Sequence, residues 1–529
     1  MTLIASPAQP ASKSNLVGLL WTFRERLAAK PHQLDTDFER LLSEPDYRND
    51  LFDRARAMED PGIQNLAHRL ARTEMPDSLL ADARQQGLLP KAFQPVLARP
   101  WRRLLLALLA FALVATGVYS QWERLLETLT GTVVVATDID TDTRWRADRT
   151  YRLDSDVFVH NDAVLRIAPG TVIKGRPGSS LVIARGSQLV AEGTRSAPIV
   201  FTSAQPVGQR ERGDWGGVVL LGDDRTNEAF ARVEGVDVRD IRGHFGGQER
   251  NGSCGSLRFV RIEYAGYEAF VDNELNGLTV AGCGPQTTLE YLQIHKALDD
   301  GIEFFGGSAN VRHLLITGAR DDSLDWDLGW NGKVQFLIAQ QHPNVGDRAF
   351  EGDNSPERDN ARPRSEPQIS NITLVGTAPD HTAMVLRSGT AGQFSRILLS
   401  GYGNNPIDLR DPLTESLVRQ EALRFTHLAI DGESAATSPW RPETGDGDND
   451  AGFAEPDYFN PISQVIPGLL GNQASNPVAP DFRPRQPTGS STDWPDNDPF
   501  WDRTATYAGA VNPAATTPWY LGWTDFSEH

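Results

Sequence analysis

Carboxylates recur at a fixed interval in the middle of this chain. Asp299, Asp300 and Glu303 occupy one stretch, and Asp321, Asp322, Asp325 and Asp327 follow 22 residues later. Asp347, Glu351 and Asp353 fall near the corresponding place in the next stretch. If the intervening chain coils with that period, these carboxylates line one edge of the stack. Carboxylates held that close repel and raise one another's pKa unless a cation or an arginine separates them. Arg320, Lys333 and Arg348 are the nearby partners. Calcium, which takes about six to eight oxygen ligands, is the metal that such an edge suits. The competing chemistry is glycosidic-bond cleavage by a pair of carboxyl groups, for which His295, His313 and His342 are the only neighbouring histidines. The plain alternative is a row of solvated turn residues.

A second acidic stretch, GDGDND from Gly445, alternates Asp446, Asp448 and Asp450. It is similar to a calcium loop but lacks the glycine and terminal bidentate glutamate of an EF-hand, and a linker reading stands beside it. Two cysteines, Cys254 and Cys283, are expected to be bridged in an oxidising compartment. Such a bridge would contribute about 3 to 4 kcal/mol by chain entropy. No HExxH, GxSxG, CxxC pair or phosphate-binding loop occurs, and no catalytic residue is assigned. Trp215, in the GDWGG stretch, is expected to pack in a turn rather than bind sugar.

The elements that must position the carboxylates are short and β-branched. LRIAPGTVIKG opens at Leu165, LVIARGSQLVAEG at Leu181 and IVFTSA at Ile199, a spacing of 16 to 18 residues. From Leu289 the spacing lengthens to 22 residues at Val311 and 23 at Val334. Units too small to bury their own apolar face must stack, and no amphipathic helices separate them, which excludes a doubly wound α/β fold. The expected fold is mainly β, a right-handed parallel β-helix over residues 143–435, with a β-sandwich array or propeller as the alternative. Residues 436–529, rich in Pro and Trp, read as an irregular strap held on the solenoid by Trp494, Trp501, Trp519 and Trp523, or as an aromatic carbohydrate platform.

Ahead of the solenoid, residues 1–100 show helical spacing: Leu16, Leu19, Leu20 and Phe23, then Phe38, Leu41 and Leu42, then Leu51, Met58, Ile63, Leu66 and Leu70. Asp60 before Pro61 reads as a helix cap, and Pro76–Asp77 as another helix start. Between Leu104 and Tyr119 lie sixteen residues without a charge, flanked by Trp101, Arg102, Arg103 and Trp122. Residues 101–122 are therefore expected to be a transmembrane signal anchor, with 123–142 as linker. Lys91, Arg99, Arg102 and Arg103 precede the span, so the positive-inside rule places the N-terminus in the cytoplasm and the solenoid in the periplasm.

The runs LRIAPGTVIKG, LVIARGSQLVAEGT, GDWGGVVLLG, LRFVRIEYAG, NELNGLTVAGCG, DDGIEFFGG and DDSLDWDLGWNGKVQF resemble a family of bacterial extracytoplasmic parallel β-helix proteins, many of them lipoproteins. The tail runs DPFWDRTATYAGAV and WYLGWTDF resemble it too, so the likeness covers about Thr143 to Phe526. The resemblance implies the fold and an address outside the cytoplasm, and it implies no activity. Family members begin with a lipoprotein or secretion signal, so the helical domain and anchor are a departure that favours retention at the inner membrane. Paired aspartates at a β-helix turn also resemble those of polygalacturonase-like glycosidases.

Charge sorts the partners. The net charge is −19, but residues 1–103 carry +2 and the remainder −21. A surface that acidic repels nucleic acid and favours cations or basic partners. The leading expectation is a membrane-anchored periplasmic scaffold with protein partners at the bacterial inner membrane. The alternatives are an enzyme acting on polysaccharide through the acidic edge, and a ligand sensor. Calcium is the one cofactor considered.

Overall fold

The computed structural model of the 529-residue chain describes residues 13–28, 36–58, 60–71 and 131–527, apart from 230, 250–251, 271–272, 356–357, 379 and 443–451, together with positions 73, 79 and 83. It divides into two units, Met1–Val118 and Tyr119–His529. The expected span at 101–122, the helix start at Pro76–Asp77 and the loop of Asp446, Asp448 and Asp450 lie outside the described residues. Among the described residues no helix is long and apolar enough to cross a membrane.

Among the described residues of the first unit, the helices Lys13–Ala28, Phe38–Ser43, Pro45–Arg56 and Pro61–Ala71 bury one apolar cluster. Leu16, Leu20, Phe23, Phe38, Leu41, Leu51, Phe52 and Leu70 are its centre, so the helical spacing read from the chain is the spacing that packs. Asp37 caps the second helix by accepting from the Glu39 and Arg40 amides. Asp60 accepts from the Ile63 amide at 3.0 Å ahead of the fourth.

The second unit is a stack of parallel strands. One sheet has nine strands, running from Val157–Val159 at one edge to Ile407–Leu409 at the other. A larger sheet of fifteen wraps the remaining sides. The pairing is parallel throughout both sheets, as a β-helix requires. The only antiparallel pair of named strands among the described residues is Glu268–Phe270 with Asn273–Glu274.

Register fixes the period. Leu289 pairs with Val311 and Val311 with Val334, so the 22- and 23-residue intervals are true turns of the solenoid. The 16- to 18-residue interval is not. Leu165 pairs with Leu189, Leu181 with Val218, and Ile199 with Val260. Leu165, Leu181 and Ile199 thus lie in strands on three different faces, each a short run with buried apolar residues. Pairing also begins earlier than residue 143, because Thr132–Val135 already lies parallel to Thr150–Leu153. It resumes after residue 436, where Ser463–Pro467 pairs with Leu423–Gly432.

The large sheet turns its corner in two ways. In the first coils a short turn separates strands, as between Val164–Ile167 and Val172–Gly175. From Gly255 onward the two strands fuse into one, and a single left-handed residue makes the bend. Phe259, Tyr291, His313, Phe336, Asn371, Arg396 and His427 all have φ between 47° and 64°. Each is skipped in the strand register, where Arg258 pairs with Glu290 and Val260 with Leu292. A left-handed non-glycine residue costs about 1 to 2 kcal/mol, so seven in one column must be held by their neighbours.

Those neighbours come from residues 469–527. Asn371 Nδ2 donates to the Ala505 and Tyr507 carbonyls, Arg396 Nη2 to those of Ser491 and Asp493, and His427 Nε2 lies 2.9 Å from the Thr488 carbonyl. Phe482, Ala508, Val511 and Tyr520 bury themselves on Leu315, Ile338 and Leu398 of the same sheet. Cys254 and Cys283 form a disulfide, joining the turns ahead of two successive strands, Gly255–Glu263 and Thr288–His295.

Candidate functional site

Strand alternation explains the acidic face. In Leu324–Asp327 of the nine-stranded sheet, Leu324 and Trp326 point into the core, so Asp325 and Asp327 point out. Ile302–Phe305 lies beside it with Glu303 paired to Asp325 and Phe305 to Asp327. On the far side Leu324 pairs with Phe350, which sets the following Glu351 outward as well. Glu303, Asp325 and Glu351 thus form one column, preceded by Thr279 and Val219 in earlier coils.

A second column stands at the entry to these strands. Asp300, Asp322 and Arg348 each lie two residues ahead of the aligned Ile302, Leu324 and Phe350. Asp300 Oδ1 accepts from the Asp322 amide at 2.9 Å, and Asp322 Oδ1 accepts from the Arg348 amide at 2.8 Å. Each carboxylate therefore caps the next coil. Asp299, Asp321 and Asp347 stand one residue earlier, partly or fully exposed.

The face is neutralised at one end only. Arg348 pairs with Glu351 at 2.8 Å, Asp347 at 3.0 Å and Asp322 at 3.4 Å. Arg387 holds Glu351 at 3.0 Å and Asp353 at 3.1 Å. One coil back the arginines stop. Among the described residues no ion pair reaches Asp300, Glu303, Asp325 or Asp327. Glu303 accepts from Asn276 Nδ2 and Asp325 from the Trp326 amide. Asp327 Oδ1 is buried with no partner at all. Burial first, and then the neighbouring carboxylates, hold the pKa values of Asp300, Glu303, Asp325 and Asp327 well above the usual carboxylate range. Asp322 is raised for the same reasons against the pull of Arg348.

Three groups bring oxygens within 4.8 Å of one another: Asp300, Glu303 and Asp325; Asp299, Asp300 and Asp321; and Asp321, Asp322 and Asp347. All-oxygen donors suit a hard divalent cation, calcium or magnesium, rather than zinc or copper. Buried carboxylates without counter-ions fit such a group.

Loops raise walls beside the columns. Residues 222–249 fold over the apolar part of the outer face, packing Ala231, Val233 and Phe245 against Val219, Leu221, Ala281 and Phe305. They carry Glu228 and Glu234 toward Asp327, whose pKa both raise. Asn227 Nδ2 donates to the Asn354 carbonyl at 2.6 Å, joining this loop to the one after Gly352. Arg387, Asn276 and Glu234 are not evident in the chain, because insertions before them hide their alignment with the repeat.

Several partners expected from the sequence lie elsewhere. Lys333 turns to the C-terminal segment, binding Asp496 and Asp498, each at 2.6 Å. Arg320 stays beside the face: it is exposed and makes no ion pair among the described residues, but its charge pulls against the raised pKa of Asp321. His295 hydrogen-bonds Thr317 at 2.7 Å and faces His342 within the other sheet, and His313 is stacked between Tyr291 and Phe336. None of the three joins the carboxylates as an acid or base. Trp215 is fully buried, its indole donating to the Glu263 carbonyl.

A family model for pectate-lyase-like β-helix domains matches residues 137–446, more than half of the chain. The chain belongs to that family. No curated protein and no solved structure matches it. Membership in a pectate-lyase-like β-helix family is compatible with action on polysaccharide, and it offers no support for a scaffold role.

Proposed function

We propose that the protein engages polysaccharide on its carboxylate face, with a hard divalent cation, calcium, held by Asp300, Glu303 and Asp325. The observation that supports this is the interruption of charge compensation. Arg348 and Arg387 neutralise one end of the face, while the neighbouring three carboxylates, close enough to share a ligand, have no cation beside them. A bound calcium supplies that charge, and its open coordination sites suit sugar hydroxyls or carboxylates. Glycosidic hydrolysis fits less well. One oxygen from each of the three lies within 4.8 Å of the others, a convergence that suits a shared cation, whereas inverting hydrolysis needs two carboxyl groups about 6.5 to 9.5 Å apart with a water between them.

Calorimetric titration with calcium, against magnesium and against the Asp325→Asn variant, tests the reading. Saturable calcium binding with a rise in melting temperature, lost in the variant, is the expected outcome. Absence of calcium binding to the chelator-treated protein sinks it. The same proposal includes an address: the apolar run Leu104–Tyr119 tethers the solenoid at a bacterial inner membrane, with the four-helix unit in the cytoplasm as a docking module for a protein partner.

A further inference from the structure

A cleft of about 490 Å³ runs along the strand ends of the large sheet, between the turns after Val375 and Ser400 and residues 470–475 of the C-terminal segment. That volume lies within the range of about 300 to 1,000 Å³ typical of small-molecule sites. Val375 pairs with Ser400, and Ser400 with Asp431. The cleft therefore spans three successive coils, about 10 Å at the spacing of neighbouring strands. Tyr402 lies along it. Its ring rests on Gly376, where a Cβ would come within 2.8 Å of it, and its hydroxyl reaches Gln341 Oε1 at 2.9 Å.

Every hydroxyl among the described lining residues directs its proton into the protein. Tyr402 donates to Gln341, Thr377 to the Gln341 carbonyl at 2.8 Å, Ser400 to Asp431 at 3.0 Å and Ser475 to the Asn472 carbonyl at 3.0 Å. What remains on each oxygen is lone pairs. Asp431 is the one charged side chain among these lining residues. Besides Ser400, its carboxylate accepts from the Leu469 and Leu470 amides at 2.9 and 3.2 Å. Three neutral donors thus orient the carboxylate and leave its charge in place, and among the described residues no ion pair reaches it. Arg485 packs its guanidinium on Gly471 from outside the lining. Only Asn472, at the exposed rim, still offers a side-chain donor.

We propose that this cleft binds a primary ammonium group carried on an alkyl chain, as in a linear diamine or a lysine side chain, with Asp431 meeting the ammonium and Tyr402 flanking it. An ammonium brings three donors and no acceptor, which is what side chains that present acceptors require. A tyrosine ring beside a cation adds its own attraction. A polyol needs donors as well as acceptors, and an anion meets an uncompensated carboxylate. The chain's net charge of −19 draws cations to it. The site lies on a different sheet from Asp300, Glu303 and Asp325, so it stands or falls independently of the calcium reading.

The test titrates the full chain, in mild detergent at physiological salt, with diaminobutane, with butanediol as its neutral counterpart and with N-acetyl-lysine amide, followed by calorimetry. Saturable binding of the diamine and none of the diol is expected. Competition by the lysine amide would identify a partner's side chain as the source of the ammonium; binding of the diamine alone would identify a free amine. Asp431→Asn should weaken binding about tenfold or more, the loss of one charged hydrogen bond. Asn472→Trp should do the same, because it narrows the cleft from its exposed rim and leaves the Leu469 and Leu470 amides on Asp431. Asp325→Asn should leave binding unchanged. No saturable binding at millimolar diamine, equal binding of the diol, or binding that survives both Asp431→Asn and Asn472→Trp overturns the proposal.

Discussion

Asp300, Asp322 and Arg348 occupy equivalent places in three successive coils, and the change from acid to base between the second and third decides the electrostatics of the face. Where the arginine stands, carboxylates are ion-paired and its charge pulls against their raised pKa; where it does not, burial and like charge act unopposed. A group whose folded pKa is raised binds its proton more tightly in the folded than in the unfolded state. Without metal, Asp300, Glu303 and Asp325 therefore oppose folding at neutral pH; the opposition lessens as pH falls below their raised folded values and is gone only below the ordinary carboxylate range. Asp325→Asn should accordingly stabilise the chelator-treated protein at pH 7, by about 1 to 3 kcal/mol, while abolishing its response to calcium. His313 runs the other way. Burial lowers its pKa to about 3 from the ordinary 6.5, so its contribution is present above 6.5 and is lost as pH falls toward 3. His313→Phe, which keeps the ring stack, should lose less stability between pH 6 and 4 than the parent, as measured by urea unfolding at each pH.

The left-handed column is the element that joins the two ends of the chain's second unit. Each of its residues bends a strand, and each side chain then points at the C-terminal segment that crosses it. Asparagine tolerates that conformation where alanine does not. Asn371→Ala should therefore cost about 2 to 4 kcal/mol in chemical denaturation, combining backbone strain with the loss of its bonds to the Ala505 and Tyr507 carbonyls. Asn371→Gly should cost less, because it relieves the strain. This column is not legible in the chain, since Phe, Tyr, His, Asn and Arg share no chemical type and only their place in the register unites them. The 22- and 23-residue turns from Leu289 to Val334 are legible, because no insertion interrupts them and the same alternation returns on the same face. The earlier runs mislead for a physical reason: three sides of one coil each carry a short run of buried apolar residues, so spacing alone does not say which side is being read.

At the scale of the molecule, the carboxylate columns are legible as a repeat, but their compensation is not. Arg387 and Asn276 reach the face across loops whose lengths follow no period, and Lys333 leaves it for Asp496 and Asp498, more than 160 residues away along the chain. The proposed tether at 101–122 rests on composition and flanking charge, and topology is its test. Protease added to spheroplasts should digest the solenoid and spare the four-helix unit; survival of the solenoid with loss of the helices would reverse the orientation.

The two ends of the parallel stack are finished differently. At the C-terminal end Trp440 and Phe459 stack at 4.2 Å over the last coil, and Ser463–Pro467 adds a closing strand. At the other end, among the described residues, Thr132–Val135 pairs with Thr150–Leu153 alone, and Val133 and Val134 are exposed. Tension entering the chain from its N-terminal side thus meets a single four-residue strand, the first of the stack among the described residues. It would peel that strand a hydrogen bond at a time and then pass to the next coil, like a zip opened from its free end. Pulled from the C-terminal side, the same molecule would have to free a buried aromatic plug and a long strap before any coil could open. The solenoid is in this sense a one-way mechanical element, compliant toward the side on which the chain enters it.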